Sequence, residues 1–154
     1  MKPYAAYAIG AALVDTEIQV TDAELSAMSV EKGMMTLVDQ DRQREMLAQL
    51  SDHLIAASHA SGGSAGNSMI ATAMMGAPTY MSCKVAKDAD GDIYLADLEE
   101  SGVAHGATDR SNDGVTGKCI VLITPDAERS LNTHLGISET ISTDEVDEAA
   151  IKDS

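Results

Sequence analysis

The sequence predicts one α/β domain over residues 1–154 with a mainly parallel sheet, and three observations lead to this prediction. Apolar runs typical of buried strands alternate with segments whose apolar residues repeat at helical spacing. Of the 154 residues, 44% are hydrophobic, which is enough to bury a core. Two stretches, 16–38 and 116–135, interrupt the alternation with short strands, and we expect them to pair with each other as a small antiparallel lid.

Each expected element has a local pattern behind it. Residues 4–14 are continuously apolar, which is typical of a buried parallel strand. Asp39 or Asp41 can cap a helix that continues to about residue 57. The apolar stripe of that helix consists of Met46, Leu47, Leu50, Leu54 and Ile55. The other expected strands are 16–20, 34–38, 79–86, 118–124 and 129–135, and the other expected helices are 22–28, 66–76, 92–101 and one opened by a capping box at 142–145.

Charge and composition exclude several classes of partner. The net charge is −15 and Lys and Arg form no cluster, so we expect no nucleic-acid binding. The apolar runs are too short to span a membrane, and the N-terminus lacks the layout of a signal peptide, so we expect a cytoplasmic protein without membrane contact. Cys83 and Cys119 show neither metal nor redox spacing, which suits a reducing compartment.

Two segments carry the candidate functional residues. In the first, an apolar run ends at Asp15, a carboxylate that can accept hydrogen bonds from two neighbouring hydroxyl groups. In the second, Gly62 and Gly63 allow the backbone to come close to a ligand, and Asn67 offers both a donor and an acceptor. An acid at a strand end and a glycine turn that leads into a helix can together surround a polyol.

Ordinary structural roles are the alternatives for these residues. Asp15 can cap a turn, the glycine pair can be a plain strand-to-helix turn, and Asn67 can serve the helix backbone. Residues 88–99 imitate the acid spacing of a calcium loop, but Ile93 stands where such a loop needs glycine. A solvated helix start explains that stretch better, and we expect no metal site.

These segments, in this order, resemble the PfkB (ribokinase-like) carbohydrate kinases, and most closely the bacterial adenosine-kinase-like members. The resemblance covers nearly all of the chain, and it includes residues 31–39, 84–103 and 116–129 as well as the two segments above. It implies a Rossmann-like three-layer αβα body, incomplete in this chain, with a small antiparallel β lid.

In this family the lid and the sheet enclose a sugar or nucleoside, and ATP with Mg²⁺ phosphorylates a primary hydroxyl of that substrate. The resemblance implies that Asp15 holds ribose-type hydroxyls, with Gly62, Gly63 and Asn67 as partners. It also implies that Arg129 lies near the transferred phosphate, where a guanidinium offsets developing charge. The alternative for Arg129 is an ordinary surface pair with Glu128 or another acid, which is worth little.

Two departures from the family pattern limit what this chain can do. Ala11 stands where the family usually has asparagine, which removes a polar side chain next to the substrate. The Gly-Ala-Gly-Asp segment that carries the catalytic base is missing, together with the nucleotide-binding half. We therefore expect a truncated, inactive substrate-binding portion that does not hold ATP or Mg²⁺ by itself. The alternative is a non-catalytic binding or self-association module, because an uncovered sheet edge seeks a second copy or the missing C-terminal half.

Overall fold

The computed structural model is an α/β structure with parallel and mixed sheets, which confirms the predicted fold class. It describes residues 3–54, 57–107, 110 and 113–154. Its strands are β1 (Ala6–Ile9), β2 (Leu13–Gln19), β3 (Met35–Leu37), β4 (Ser58–Gly62), β5 (Thr79–Ser82), β6 (Val103–His105), β7 (Gly117–Ile123) and β8 (Arg129–His134). Its α-helices are α1 (Asp22–Ala27), α2 (Gln40–Gln49), α3 (Ser64–Met74), α4 (Ala89–Glu100) and α5 (Glu148–Lys152), and short 3-10 turns lie at Gly136–Thr140 and Thr143–Glu145.

The chain divides into two compact units. The first comprises Met1–Val14, Ala60–Gly117 and Leu135–Ser154, and the second comprises Asp15–His59 and Lys118–His134. The second unit therefore contains nearly all of the two predicted lid segments, together with α2, which the prediction placed outside the lid. The role of this unit as a lid stays a prediction.

A three-stranded parallel sheet in the order β1-β5-β6 forms the centre of the first unit. All four residues of the middle strand β5 are buried, whereas β1 is half-buried and ends at the exposed Ile9. Helices α3 and α4 pack against this sheet. The buried core residues are Ala12, Val14, Met69, Met81, Cys83, Val85, Tyr94, Leu98 and Val103.

Every tyrosine of the chain lies in the first unit. The Tyr80 ring stacks on Tyr7 with ring centroids 5.7 Å apart and meets Tyr4 edge to face at 5.2 Å. Its hydroxyl donates a 2.7 Å hydrogen bond to the Asp147 carboxylate, which also caps α5. Burial and this carboxylate raise the pKa of Tyr80 well above its usual value, so the hydroxyl stays protonated and remains a donor.

The strands of the second unit lie in a mixed sheet in the order β3-β8-β7-β2. β7 and β8 form the predicted antiparallel hairpin, but β3 runs parallel to β8, so the antiparallel pairing predicted for the lid is wrong at β3. No short turn joins β3 to β8, and only a short turn would force the antiparallel direction. Helices α1 and α2 contribute to the core of this unit, whose buried residues are Ile18, Val20, Leu25, Met28, Met46, Leu50, Ile120 and Leu122.

The N-terminal apolar run does not form the single buried strand predicted for residues 4–14. It is divided into β1 and β2, which belong to different sheets. The break falls where the backbone passes close to α3, since a β-carbon at Gly10 would lie 2.7 Å from the β-carbon of Ala65. The apolar pattern alone contains no information about this approach of a helix.

Helix α2 ends earlier than predicted and α4 begins earlier than predicted. α2 stops at Gln49 instead of near residue 57, because a run of weak helix formers (Ser-Asp-His at 51–53) follows. Ile55, predicted in its apolar stripe, lies outside the described residues. α4 starts before the predicted residue 92, because the Asp88 side chain accepts a hydrogen bond from the Gly91 N–H.

No helix in the described part of the chain is long and apolar enough to cross a membrane.

Three smaller differences concern short elements. The capping box of Ser142 and Glu145 forms, but it opens a 3-10 turn, and α5 starts only at Glu148. The sequence analysis does not predict β4, which has no β-branched or aromatic residue, or β6, which is three residues long.

Tyr94 on α4 gives a test of the core of the first unit. Its side chain is fully buried, and its hydroxyl has no hydrogen-bond partner among the described residues. Because an unpaired buried hydroxyl costs about 1–3 kcal/mol, Tyr94→Phe should raise the free energy of unfolding by about 1 kcal/mol. Scanning calorimetry should show a higher melting temperature. Tyr80→Phe makes the same chemical change but loses the bond to Asp147, so it should lower the melting temperature. Equal losses in both variants would contradict this prediction.

Candidate functional site

Two predicted site residues of the first unit, Ala11 and Gly63, meet through their backbones. Gly63 follows β4, caps α3 and has a φ of +89°. A β-carbon at Gly63 would lie 2.6 Å from the Ala11 carbonyl oxygen, so only glycine fits there without a shift of backbone. The glycine turn therefore lies close against the segment between β1 and β2. Gly62 is buried and offers only its backbone.

Asn67 lies in the first turn of α3, where its N–H donates to the Gly63 carbonyl at 3.0 Å. Its side chain is exposed and has no hydrogen-bond partner among the described residues. It lines a cavity of about 260 Å³ together with Ser61 and Asp97, and the Asp97 carboxylate accepts two hydrogen bonds from Ser61. No side chain caps α3, so the backbone N–H groups of its first residues are available to a polar ligand. The side-chain amide of Asn67 is available as well.

In the second unit, Asp15 lies on β2, whose residues alternate between the two faces of the sheet. Thr16 and Ile18 are buried on the face toward the core, so Asp15 and Glu17 share the opposite face. The Asp15 carboxylate is half-buried and accepts no hydrogen bond from the described residues. Burial raises the pKa of Asp15, Arg129 opposes this rise, and Glu17 adds to it. A partly desolvated carboxylate with free lone pairs is well suited to accept hydrogen bonds from hydroxyl groups.

Arg129, the first residue of β8, pairs with an acid that the sequence analysis does not single out. Its Nη2 atom lies 2.5 Å from Glu17 Oε1, and the Ser58 hydroxyl donates to the other Glu17 oxygen at 3.3 Å. The alternation of β2 is the signal that places Glu17 on the same face as Asp15. The structure therefore brings Asp15, Glu17 and Arg129 together as one charged cluster.

The cysteines are buried, and most of the acid-rich stretch 88–99 is helical. Burial raises the pKa of the Cys83 thiol to about 12 and also raises that of Cys119, so both thiols stay protonated. The calcium-loop alternative is wrong, because this stretch is the cap and body of α4, and the Asp88 carboxylate accepts hydrogen bonds from Thr116. Among the described residues, no three His, Cys, Asp or Glu side chains are grouped to hold a metal ion.

The fold of this chain is similar to that of solved sugar and adenosine kinases. A probable sugar kinase from Rhizobium etli CFN 42 and the adenosine kinase from Sinorhizobium meliloti are each 31% identical to this chain, with a TM-score of 0.86. The matches cover 98% and 97% of this chain and 44% of each kinase. An adenosine kinase from Anopheles gambiae is 20% identical, with a TM-score of 0.83 over 96% of this chain and 46% of that one, which shows the fold alone.

The sequence pattern of the pfkB family carbohydrate kinases matches residues 25–154. The chain belongs to this family, as the resemblance predicts. It spans less than half the length of the similar kinases of known structure.

Gly63→Ala should destabilise the protein more than Gly76→Ala. The two glycines have φ values of +89° and +90°, so both substitutions incur similar backbone strain. A β-carbon at Gly76 meets nothing within 4 Å, whereas one at Gly63 meets the Ala11 carbonyl. We expect Gly63→Ala to cost about 1–3 kcal/mol beyond the Gly76 variant, since overpacking costs this much. Urea denaturation measures the difference, and equal costs would mean that the Ala11 backbone moves aside freely.

Asp15→Asn should raise stability at neutral pH. Folding raises the pKa of Asp15, so the wild-type side chain contributes stability at low pH that is lost as the pH rises through its folded pKa. The gain from asparagine should therefore be present at pH 7 and vanish below about pH 4, the ordinary pKa of aspartate. Calorimetry in a pH series measures this gain. Asp41→Asn, at a side chain that is 90% exposed, is the control without a gain. A gain that does not change with pH would show that charge is not its cause.

Proposed function

We propose that this chain is the substrate-binding portion of an ATP-dependent sugar or nucleoside kinase of the adenosine-kinase-like type. The observation that carries this proposal is the Asp15 carboxylate, which is half-buried and has no hydrogen-bond partner among the described residues. A carboxylate kept in such surroundings, with a raised pKa, is typical of a functional site. In the whole protein, a primary hydroxyl of the substrate would receive the γ-phosphoryl group of ATP.

Each predicted site residue has a proposed role in holding that substrate. Asp15 accepts hydrogen bonds from two neighbouring hydroxyls of a ribose-type ring. In the first unit, Gly62 and Gly63 contribute their backbones, and Asn67 contributes its free amide. Ala11 contributes only its backbone, so the polar contact usual in the family at that position is absent here.

One face of the sheet in the second unit favours a nucleoside over a free sugar. Leu131 is paired in register with Met35 on β3 and Val121 on β7, so these apolar side chains form a row on a single face, in which Met35 is exposed, Leu131 half-buried and Val121 fully buried. The neighbouring Ile120 points into the core with α1 and α2, so the row lies on the other face, which also carries Asp15. A nucleoside base gains from contact with apolar side chains, whereas a free sugar, with hydroxyls around its ring, gains less.

Arg129 is proposed to approach the transferred phosphate, where its guanidinium offsets developing negative charge. The described residues offer no group of acids for Mg²⁺, so MgATP is proposed to bind to parts of the whole protein outside this chain. The sequence has no Gly-Ala-Gly-Asp segment to supply a catalytic base. For these reasons the chain alone is proposed to bind substrate without transferring phosphate.

A second candidate function is a non-catalytic binding or self-association module. β3 is an edge strand of its sheet, and its Met35 and Leu37 side chains are 58% and 61% exposed. An edge strand with exposed apolar side chains favours pairing with a second copy of the chain.

Thermal-shift measurements with adenosine, inosine, ribose and fructose test the first proposal and identify the class of substrate. We expect the two nucleosides to raise the melting temperature more than the two sugars, because only they contain a base. A ligand at 100 times its Kd stabilises a protein by about 2.7 kcal/mol, which is easily measured. Asp15→Ala should abolish the shift, and Asp41→Ala, at an exposed pair with Arg44, should keep it.

The possible outcomes separate the two candidate functions. If none of the four ligands shifts the wild-type chain, the kinase proposal is wrong and the module is favoured. A shift of the same size in Asp15→Ala would show that the ligand binds at another place.

A further inference from the structure

Glu17 and Arg129 form an ion pair that crosses a strand. The pair joins β2 to β8, and β7 lies between these strands in the sheet. The Arg129 and Glu17 side chains are 52% and 40% exposed, so solvent and small anions can reach the pair. The Ser58 hydroxyl donates to the second Glu17 oxygen at 3.3 Å, so Glu17 is held from both sides.

We propose that Glu17 is a positioning residue that holds Arg129 until a phosphate group displaces the carboxylate. This inference rests on the proposed function, in which Arg129 contacts the transferred phosphate. Glu17 accepts from the Nη2 atom of Arg129, so a phosphate that binds the guanidinium edge containing Nη2 competes with the carboxylate for this donor. Glu17 therefore keeps the guanidinium in place while no phosphate is bound, and it weakens phosphate binding by that competition.

The ion pair between Glu17 and Arg129 also affects Asp15, which lies on the same face of the sheet. Burial raises the pKa of Asp15 and the nearby Arg129 charge opposes this rise, yet the hydrogen bond of Arg129 goes to Glu17. If Arg129 paired directly with Asp15, it would occupy the oxygens that are proposed to accept substrate hydroxyls. By binding Arg129, Glu17 leaves the Asp15 carboxylate free for the sugar ring.

An exposed ion pair with no role in binding would affect only stability, and by little. The test must therefore measure phosphate at Arg129 itself. The Arg129 Nε–Hε signal in a proton–nitrogen NMR spectrum, assigned by its loss in Arg129→Lys, reports the local Kd for inorganic phosphate. The titration is carried out at constant ionic strength, because salt screens such pairs.

Three variants are compared with the wild-type chain in this titration. Glu17→Gln should bind phosphate about two- to fivefold more tightly, which corresponds to the usual strength of an exposed pair. Glu17→Asp keeps the charge but has a shorter reach toward Arg129, so it should also bind more tightly. Glu45→Gln is the matched control, because it removes the same charge from a pair with Arg42 in the same unit and should bind like the wild type.

Equal Kd values for phosphate in the wild type and both Glu17 variants would overturn the inference. It would also be overturned if phosphate did not shift the Arg129 signal in the wild type or in either Glu17 variant. A gain of equal size in Glu45→Gln would also overturn it, because net charge would then be the cause. The thermal shift with adenosine involves no phosphate. A failure of the proposed function and a failure of this inference are therefore distinguishable.

Discussion

The approach of the Gly63 turn to the Ala11 carbonyl sets the arrangement of the first unit. Because a β-carbon at Gly63 would lie 2.6 Å from that oxygen, α3 can start against this segment only after a glycine. Two residues further along, Ala65 packs closely against Gly10, which directly follows the end of strand β1. The break in the apolar run and the uncapped start of α3 therefore lie at the same site of close packing.

The constraint in the second unit is electrostatic, because a carboxylate is placed where burial disfavours its charged form. Asp15 is held where burial opposes its ionisation, and Glu17 on the same face adds to that opposition. The chain has 25 acids and only 10 Lys and Arg, yet one arginine, Arg129, is placed at this face. The core residues of the unit do not include Asp15, and natural proteins retain local conflicts of this kind mainly at functional sites.

Signals that lie within one element predict that element well. A strand within residues 16–20, the β7–β8 hairpin and the helix cap at Asp39 are all visible in short stretches of sequence, and the structure confirms them. The failures depend on residues that are distant in sequence. The break at Gly10 needs α3, and the parallel direction of β3 needs β8.

The same distinction applies to the candidate site. Asp15 and Gly63 stand out in the sequence because a single acid or a glycine pair is locally conspicuous, although their functional roles remain proposals. Glu17 does not stand out, because its partner Arg129 is 112 residues away and charged residues on a strand usually face solvent. Only the pairing of strands reveals that these two side chains meet.

The distribution of aromatic rings limits how this protein can be observed. All four tyrosines belong to the first unit, and the chain has neither tryptophan nor phenylalanine. Tyrosine emission and near-ultraviolet circular dichroism therefore arise from the first unit alone. The unit that carries Asp15 contributes to neither signal. An unfolding curve recorded with either signal would look complete whether or not the second unit had melted.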